Sequence, residues 1–199
     1  PPPDLILIST PMTYWYPGAI AASRLARSIL PRTPQALGGI YPTLCPEHAR
    51  KTAPVELLAE GPVEGEPNWS RLWELIGSPA PPAPDPRPGA LLPQLYPGAD
   101  FSVLLGSRGC PFPCHYCSSG LLYPGFRQFS RQLLLDQVEQ EKARGIRDFA
   151  FYDDALLVRP QTWLESLLES LSAQPRQLRL HTPNGLHAAY LTPEICRLL

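Results

Sequence analysis

The sequence predicts an α/β protein in two parts: a partial doubly wound domain, then about half of a barrel-like (β/α) domain. Three observations carry this. Short apolar runs alternate with amphipathic helical patterns, the pattern of parallel strands joined by helical crossovers. One proline-rich stretch interrupts the alternation near the middle of the chain. Beyond it the alternation resumes as strand and helix repeated three times. The expected boundaries are 1–77 for the first domain, 78–99 for a linker and 100–199 for the second domain.

In the first part, Asp4-Leu-Ile-Leu-Ile-Ser9 is a continuous apolar run, as expected of a strand buried on both faces. Gly18 to Leu30 places Ala22, Leu25, Ala26, Ile29 and Leu30 on one helical stripe, stopped by Pro31. Gln35-Ala-Leu-Gly-Gly-Ile40 and Val55-Glu-Leu-Leu-Ala59 read as two further strands with a turn between them. Trp69, Leu72, Trp73 and Ile76 then form the apolar face of a short helix. Doubly wound sheets usually have about five strands or more. The three predicted here make the domain look as if its first half were missing.

The linker follows from composition. Proline accounts for 27 of 199 residues against a usual frequency of about 5%, and much of the excess falls in Ser78-Pro-Ala-Pro-Pro-Ala-Pro-Asp-Pro-Arg-Pro-Gly89. Each proline removes a backbone donor and restricts the residue before it, so neither helix nor central strand fits. A stiff extended connector does.

In the second part, Phe101-Ser-Val-Leu-Leu105 reads as a strand that runs into Gly106-Ser-Arg-Gly-Cys110. Ser130 to Arg144 reads as a helix with Leu133, Leu134 and Val138 inward and Gly145 as its stop. Asp148-Phe-Ala-Phe-Tyr152 is a strand ending at Asp153 and Asp154. Pro160 opens a helix whose Trp163, Leu164, Leu167, Leu168 and Leu171 form the strongest amphipathic pattern in the chain. Gln177-Leu-Arg-Leu-His181 is a third strand, and Thr192-Pro-Glu starts a third helix. A helix opening seven residues before Leu199 predicts a chain that stops inside a domain.

Charge and composition narrow the function. Lys+Arg is 17 and Asp+Glu 18, so no basic excess exists to hold a phosphate backbone, and charge-driven nucleic-acid binding is disfavoured. Apolar residues reach 44%, enough for a core. The longest apolar runs are far too short to cross a bilayer, and the amino end lacks the pattern of a secretory signal. The expectation is a soluble, cytoplasmic protein.

Cysteine supplies the chemistry. There are five, an odd number, and Cys110, Cys114 and Cys117 fall within eight residues in the loop after a strand. A disulfide framework would use an even, dispersed set; a tight trio without a secretion signal points to metal. In Cys110-Pro-Phe-Pro-Cys114-His-Tyr-Cys117 three thiolates suit three irons of a 4Fe–4S cube and leave the fourth iron open to a ligand from outside the protein. The two prolines restrict the loop, so less conformational entropy is lost when it wraps a cluster. The competing reading is a zinc knuckle, a zinc-stabilised binding module. Zinc asks for four tetrahedral ligands, His115 is poorly placed beside Cys114, and Cys45 and Cys196 are distant in sequence. Iron–sulfur is the better match to the ligand count.

Two families of motif resemble known proteins. Met12-Thr-Tyr-Trp-Tyr-Pro-Gly18, Leu37-Gly-Gly-Ile-Tyr-Pro-Thr-Leu-Cys-Pro-Glu-His48 and Glu60-Gly-Pro-Val-Glu-Gly-Glu66 resemble the cobalamin (B12)-binding-like, Rossmann-like domain that precedes the catalytic domain in one class of radical S-adenosylmethionine (SAM) proteins. The cysteine motif, with Gly106-Ser-Arg-Gly109 before it and Ser118-Ser-Gly120 after it, resembles the radical SAM signature. The resemblance implies a 4Fe–4S cluster held by Cys110, Cys114 and Cys117, and a SAM molecule chelated to the open iron. It implies reductive cleavage to a 5′-deoxyadenosyl radical, with electrons from a donor such as ferredoxin or flavodoxin and hydrogen taken from a small-molecule or unknown substrate. The fold it implies is a partial cobalamin-binding-like domain followed by the first half of a radical SAM partial barrel. The family's cobalt-ligating Asp-x-His-x-x-Gly motif does not occur, and His48 is not that histidine, so the fold is better supported than bound cobalamin or cobalamin-dependent methyl transfer.

By position, the resemblance also places Tyr116 near the adenine, and Asp153 and Asp154 at the polar motif that faces the SAM amino group, with Asp153 as the expected cofactor-binding residue. Asn184 sits at a strand end within reach of SAM or substrate. The plainer alternatives are a turn-capping aspartate and a turn-forming Asn-Gly. Tyr14, Trp15 and Tyr16 line a ligand face or cap a core, Cys45 is a small buried thiol, and Arg108 balances the thiolates or lies on the surface. No catalytic side chain is identified. A second function class stays open: a truncated, non-catalytic iron–sulfur fragment, because three strands leave a SAM pocket unshielded from solvent.

Overall fold

The computed structural model describes residues 1–84, 96, 98–160, 163–173 and 178–199. The chain divides into two compact units, Pro1–Pro86 and Arg87–Leu199. Most of the predicted linker, 85–95 and 97, lies outside the described residues.

In the first unit, β1 (Ile6–Thr10), β2 (Gln35–Gly39) and β3 (Leu57–Leu58) form a parallel sheet in the order β1-β2-β3. The register pairs Ile6 with Gln35 and Ala36 with Leu57. Side chains alternate across a strand, and neighbouring residues of β2 accordingly feed different clusters. Ala36 packs with Leu57 and with Leu72 of α4 (Asn68–Leu75). Leu37 packs with Tyr41 and Ala49, joined by Ile8, Tyr16 and Ala19. Both faces of the central strand β2 are therefore packed, whereas the edge strand β1 is not buried on both faces as its apolar run implied: Leu7 is 60% exposed.

α1 (Tyr16–Ile29) follows β1, but the stripe expected to face the sheet does not: Leu25 and Ile29 are exposed and the buried residues are Ile20 and Ser23, so polar contacts tie the helix down. Ser23 Oγ donates to Gln35 Oε1 at 2.6 Å, and Arg27 forms an ion pair with Glu56 at 2.6 Å. The expected turn between the second and third strands is instead two short helices, α2 (Ile40–Leu44) and α3 (Pro46–Thr52). Pro42 and Pro46 read as punctuation in the sequence. Both lie in first turns, where no helical amide partner is needed. The third strand is shorter than expected, two residues rather than five.

In the second unit, β4 (Phe101–Leu104), β7 (Asp148–Phe151) and β8 (Arg179–His181) form a parallel sheet in the order β4-β7-β8. A two-stranded antiparallel ribbon, β5 (Ser107–Arg108) with β6 (Arg127–Gln128), brackets the cysteine loop, which also contains α5 (Ser119–Leu122). α6 (Arg131–Ala143) joins β6 to β7, α7 (Leu164–Ser172) precedes β8, and α8 (Pro193–Leu198) comes last. Ser130 and Thr192 cap α6 and α8, accepting from the amides of Gln132 and Ile195, each at 3.2 Å.

One face of this sheet is buried. Leu104, Phe149 and Phe151 pack with Leu134 and Val138 of α6 and with Leu164, Leu167 and Leu168 of α7. The opposite face carries Phe101, Asp148 and His181, with Phe101 exposed. The strand–helix alternation is as expected; the ribbon and α5 are additions. Trp163 lies just before α7 rather than inside it, fully buried. Residues 161–162 and 174–177, where the helix opening and the start of the third strand were expected, lie partly or wholly outside the description.

Candidate metal-binding loop

All three sequence-selected cysteines lie on one loop, between β5 and α5, just beyond the carboxyl end of β4. That end of the strands is where α/β folds bind ligands. Cys110 and Cys114 are half-buried and Cys117 is exposed, and all three are free thiols. A tight turn links the last two, the Cys117 amide donating to the Cys114 carbonyl at 3.1 Å. The Ser119 amide donates to Cys117 Sγ at 3.5 Å.

The loop entry is shaped by glycine. Gly109 has φ +79°, and a Cβ there would come within 2.1 Å of the Gly125 carbonyl oxygen. Both the backbone conformation and the close approach need glycine. Further along, Phe112 packs on His187 and Tyr190, ring centroids 5.0 and 5.4 Å apart, which ties the loop to the segment after β8. Arg108 stacks over Tyr123 at 5.2 Å.

Electrostatics place the thiols near one another. Burial pushes the Cys110 thiol above its ordinary value, the Phe112 amide opposes this, and the neighbouring Cys117, Asp154 and Cys114 add to the rise. Among the described residues, no three histidine, cysteine, aspartate or glutamate side chains converge as a preformed metal cage. The chemistry of the donors still fits a cluster: three free thiols on one turn-rich loop, none in the hydrophobic core, with Asp154 acting on Cys110. A cationic iron centre would relieve the repulsion among them.

The two aspartates at the end of β7 separate into different places. Asp153 is only 2% exposed, and both of its oxygens are occupied: Oδ2 accepts from the Gly106 amide at 3.0 Å and Oδ1 from the Ser107 hydroxyl at 2.5 Å. Burial raises its pKa, with those hydrogen bonds opposing. Asp154 lies nearer the cysteine loop. It receives a hydrogen bond from Ser119 and acts electrostatically on Cys110; burial raises its pKa, and the Ser119 bond opposes. Asn184 Nδ2 donates to the carbonyls of Tyr152 at 3.0 Å and Asp153 at 3.4 Å, so it bridges two strand exits. Tyr116 is 92% exposed. Ser107, Ser119 and Trp163 were not singled out in the sequence as parts of the site; only their non-local partners mark them.

In the first unit, Tyr16 stacks on Tyr41 at 5.1 Å and caps the core, whereas Tyr14 and Trp15 are exposed along an apolar cleft of about 530 Å³ at the end of β1. Cys45 packs against the cluster of Leu37, Tyr41 and Ala49 as a small thiol. His48 Nδ1 shares a 2.7 Å hydrogen bond with the Tyr41 hydroxyl.

No protein-family model matches this chain, and no curated protein does. Solved structures are similar in fold. One is the radical S-adenosylmethionine methyltransferase TsrM from Kitasatospora setae with tryptophan substrate and a SAM analogue (aza-SAM) bound. Its TM-score is 0.66 at 17% identity, over 100% of this chain and 46% of that one. Another is TsrM with cobalamin and a [4Fe-4S] cluster bound, TM-score 0.63 at 18% identity, over 99% and 47%. The chain spans about half the length of those proteins. Among the described residues, no helix is long and apolar enough to cross a membrane.

Proposed function

We propose that this chain is, or is part of, a radical SAM protein in which Cys110, Cys114 and Cys117 hold a 4Fe–4S cluster. The single observation behind this is the three free thiols on one loop at the carboxyl end of a parallel sheet. The fold likeness to a radical SAM methyltransferase supports the same reading. In it, 1–77 is a partial Rossmann-like, cobalamin-binding-like domain, 78–99 a linker, and 100–199 the first half of a radical SAM barrel. A cluster held there and reduced by one electron from the donor would supply the electron that cleaves a C–S bond of SAM, giving methionine and a 5′-deoxyadenosyl radical.

The chain's own residues then have separate tasks. The three cysteines bind as thiolates. The Ser119 amide donates to Cys117 Sγ, which steadies that sulfur as a ligand. Asp154, near the cysteine loop, is the carboxylate suited to the SAM ammonium group. Tyr116 offers a ring face for adenine. Asn184 holds the exits of β7 and β8 together. An electron donor such as ferredoxin or flavodoxin and a small-molecule substrate complete the proposal. Cobalamin, with methyl transfer to an unreactive carbon, belongs to its finer part. The cleft at the end of β1 is the surface cobalamin would use; His48 is not among the residues that line it.

A second reading, a cluster held without SAM cleavage, draws on the exposure of Tyr116 and of the uncovered sheet face. Anaerobic reconstitution with iron and sulfide tests the first step. The expected result is iron and sulfide bound with a visible charge-transfer band, lost when the three cysteines are replaced by alanine. Zinc without iron, or iron retained by the alanine variant, overturns the proposal. Adding SAM and a reductant and assaying 5′-deoxyadenosine separates the two readings.

A further inference from the structure

Asp153 is a buried acid with no task in the scheme above. Its carboxylate receives a backbone amide and a hydroxyl from residues 47 and 46 positions earlier in the chain, Gly106 and Ser107. Gly106 has no side chain to spare: the Trp163 ring lies 2.2 Å from where a Cβ would stand, and Asp153 Oδ1 3.3 Å from it. Across the sheet, Asn184 donates to the carbonyls of Tyr152 and Asp153. The exits of β4, β7 and β8 thus meet at Tyr152 and Asp153. The cysteine loop starts a few residues beyond Ser107, and the β5–β6 ribbon closes it.

We propose that Asp153 is a positioning residue for the cysteine loop. Its carboxylate joins the end of β7 to the exit of β4 and sets the point from which Cys110, Cys114 and Cys117 depart. This rests on the cluster reading above. A buried carboxylate without partners would be strongly disfavoured, so the two bonds from the loop entry are coupled to the burial of Asp153. Either both form or the entry opens. An asparagine can replace it, its oxygen accepting from Gly106 and its amide donating to Ser107, whose hydroxyl can turn to accept. An alanine leaves the Gly106 amide buried and unpaired.

The test compares wild type with Asp153→Ala, Asp153→Asn and Ser107→Ala by two measurements. Amide hydrogen exchange at Gly106 is followed in the metal-free chain, and apparent iron affinity is followed in anaerobic reconstitution. Asp153→Ala should expose the Gly106 amide to exchange and weaken iron binding about tenfold, the lower range for groups that orient metal ligands. Asp153→Asn should restore both close to wild type, which loss of a direct contact to a bound cation would not allow. If wild type takes up iron and Asp153→Ala takes it up equally well, the proposal is wrong. It is equally wrong if Asn fails as badly as Ala. Should wild type take up no iron, the cluster reading falls, and exchange at Gly106 still decides the anchor: faster in Asp153→Ala supports it, unchanged overturns it. Should Asp153→Ala not fold, Ser107→Ala decides by the same two readouts. A smaller loss in each supports the anchor, and no change in either overturns it.

Discussion

Gly106 shows how closely single residues are specified around the cysteine loop. It precedes the loop by only a few positions, and the ring of Trp163 occupies the space where any side chain would begin. Replacing Gly106 by alanine forces the indole or the strand to move, and overpacking of a filled core costs about 1–3 kcal/mol. The urea midpoint of the Gly106→Ala chain should fall accordingly, and Trp163→Leu in the same chain should recover part of the loss. Additive losses in that double-mutant cycle would mean the two residues do not press on each other. The neighbouring aspartates teach a related lesson. They are adjacent in sequence, yet one carboxylate is spent inside the fold and the other lies nearer the cysteine loop. Alternation at a strand end turns neighbours in different directions, and sequence position alone did not say which was which.

At the scale of elements, β7 and β8 carry an ionic rung on their open face. Asp148 accepts from Arg179 Nε at 2.6 Å and is within 2.9 Å of His181 Nε2. The Arg179 hydrogen bonds foremost, and then His181, hold its carboxyl well below the usual carboxylate range. A folded-state value below the unfolded one means the stabilisation is present above the unfolded value, about 4. It is lost as pH falls from there through the folded value. The thermal midpoint of wild type should therefore drop more steeply than that of Asp148→Asn as pH is lowered from about 5 to about 2. Parallel slopes would show that the rung contributes nothing. Solvent screening keeps the expected effect small. Periodicity located α1, α4, α6, α7 and α8 but did not always find the buried face: Leu25 and Ile29 of α1 and Leu133 of α6, expected inward, are exposed. The β5–β6 ribbon was not legible: Ser107-Arg108 and Arg127-Gln128 are short and polar, and each is a strand only because the other is beside it. Likewise α2 and α3 hid behind prolines that read as breaks but occupy helix starts.

At the scale of the whole molecule, the cysteine loop reaches solvent among the described residues. Cys117 and Tyr116 are exposed, and the sheet below the loop has helices on one face. A cluster assembled on this chain would be open to oxygen. The visible absorbance of the reconstituted protein should bleach within minutes in air and persist under nitrogen; stability in air would overturn that expectation.

What the sequence determined by itself was whatever is written locally along the chain. The period of apolar residues located most strands and helices, and the covalent spacing of Cys110, Cys114 and Cys117 put three thiols on one loop. Tertiary structure decided everything that depends on partners far along the chain. It buried Asp153 under Gly106 and Ser107, left Asp154 nearer the cysteine loop, set Trp163 against Gly106 and paired two polar dipeptides into a ribbon. Those choices depend on which groups meet across the sheet, where burial and hydrogen bonding are settled by packing and leave no periodic trace in the sequence.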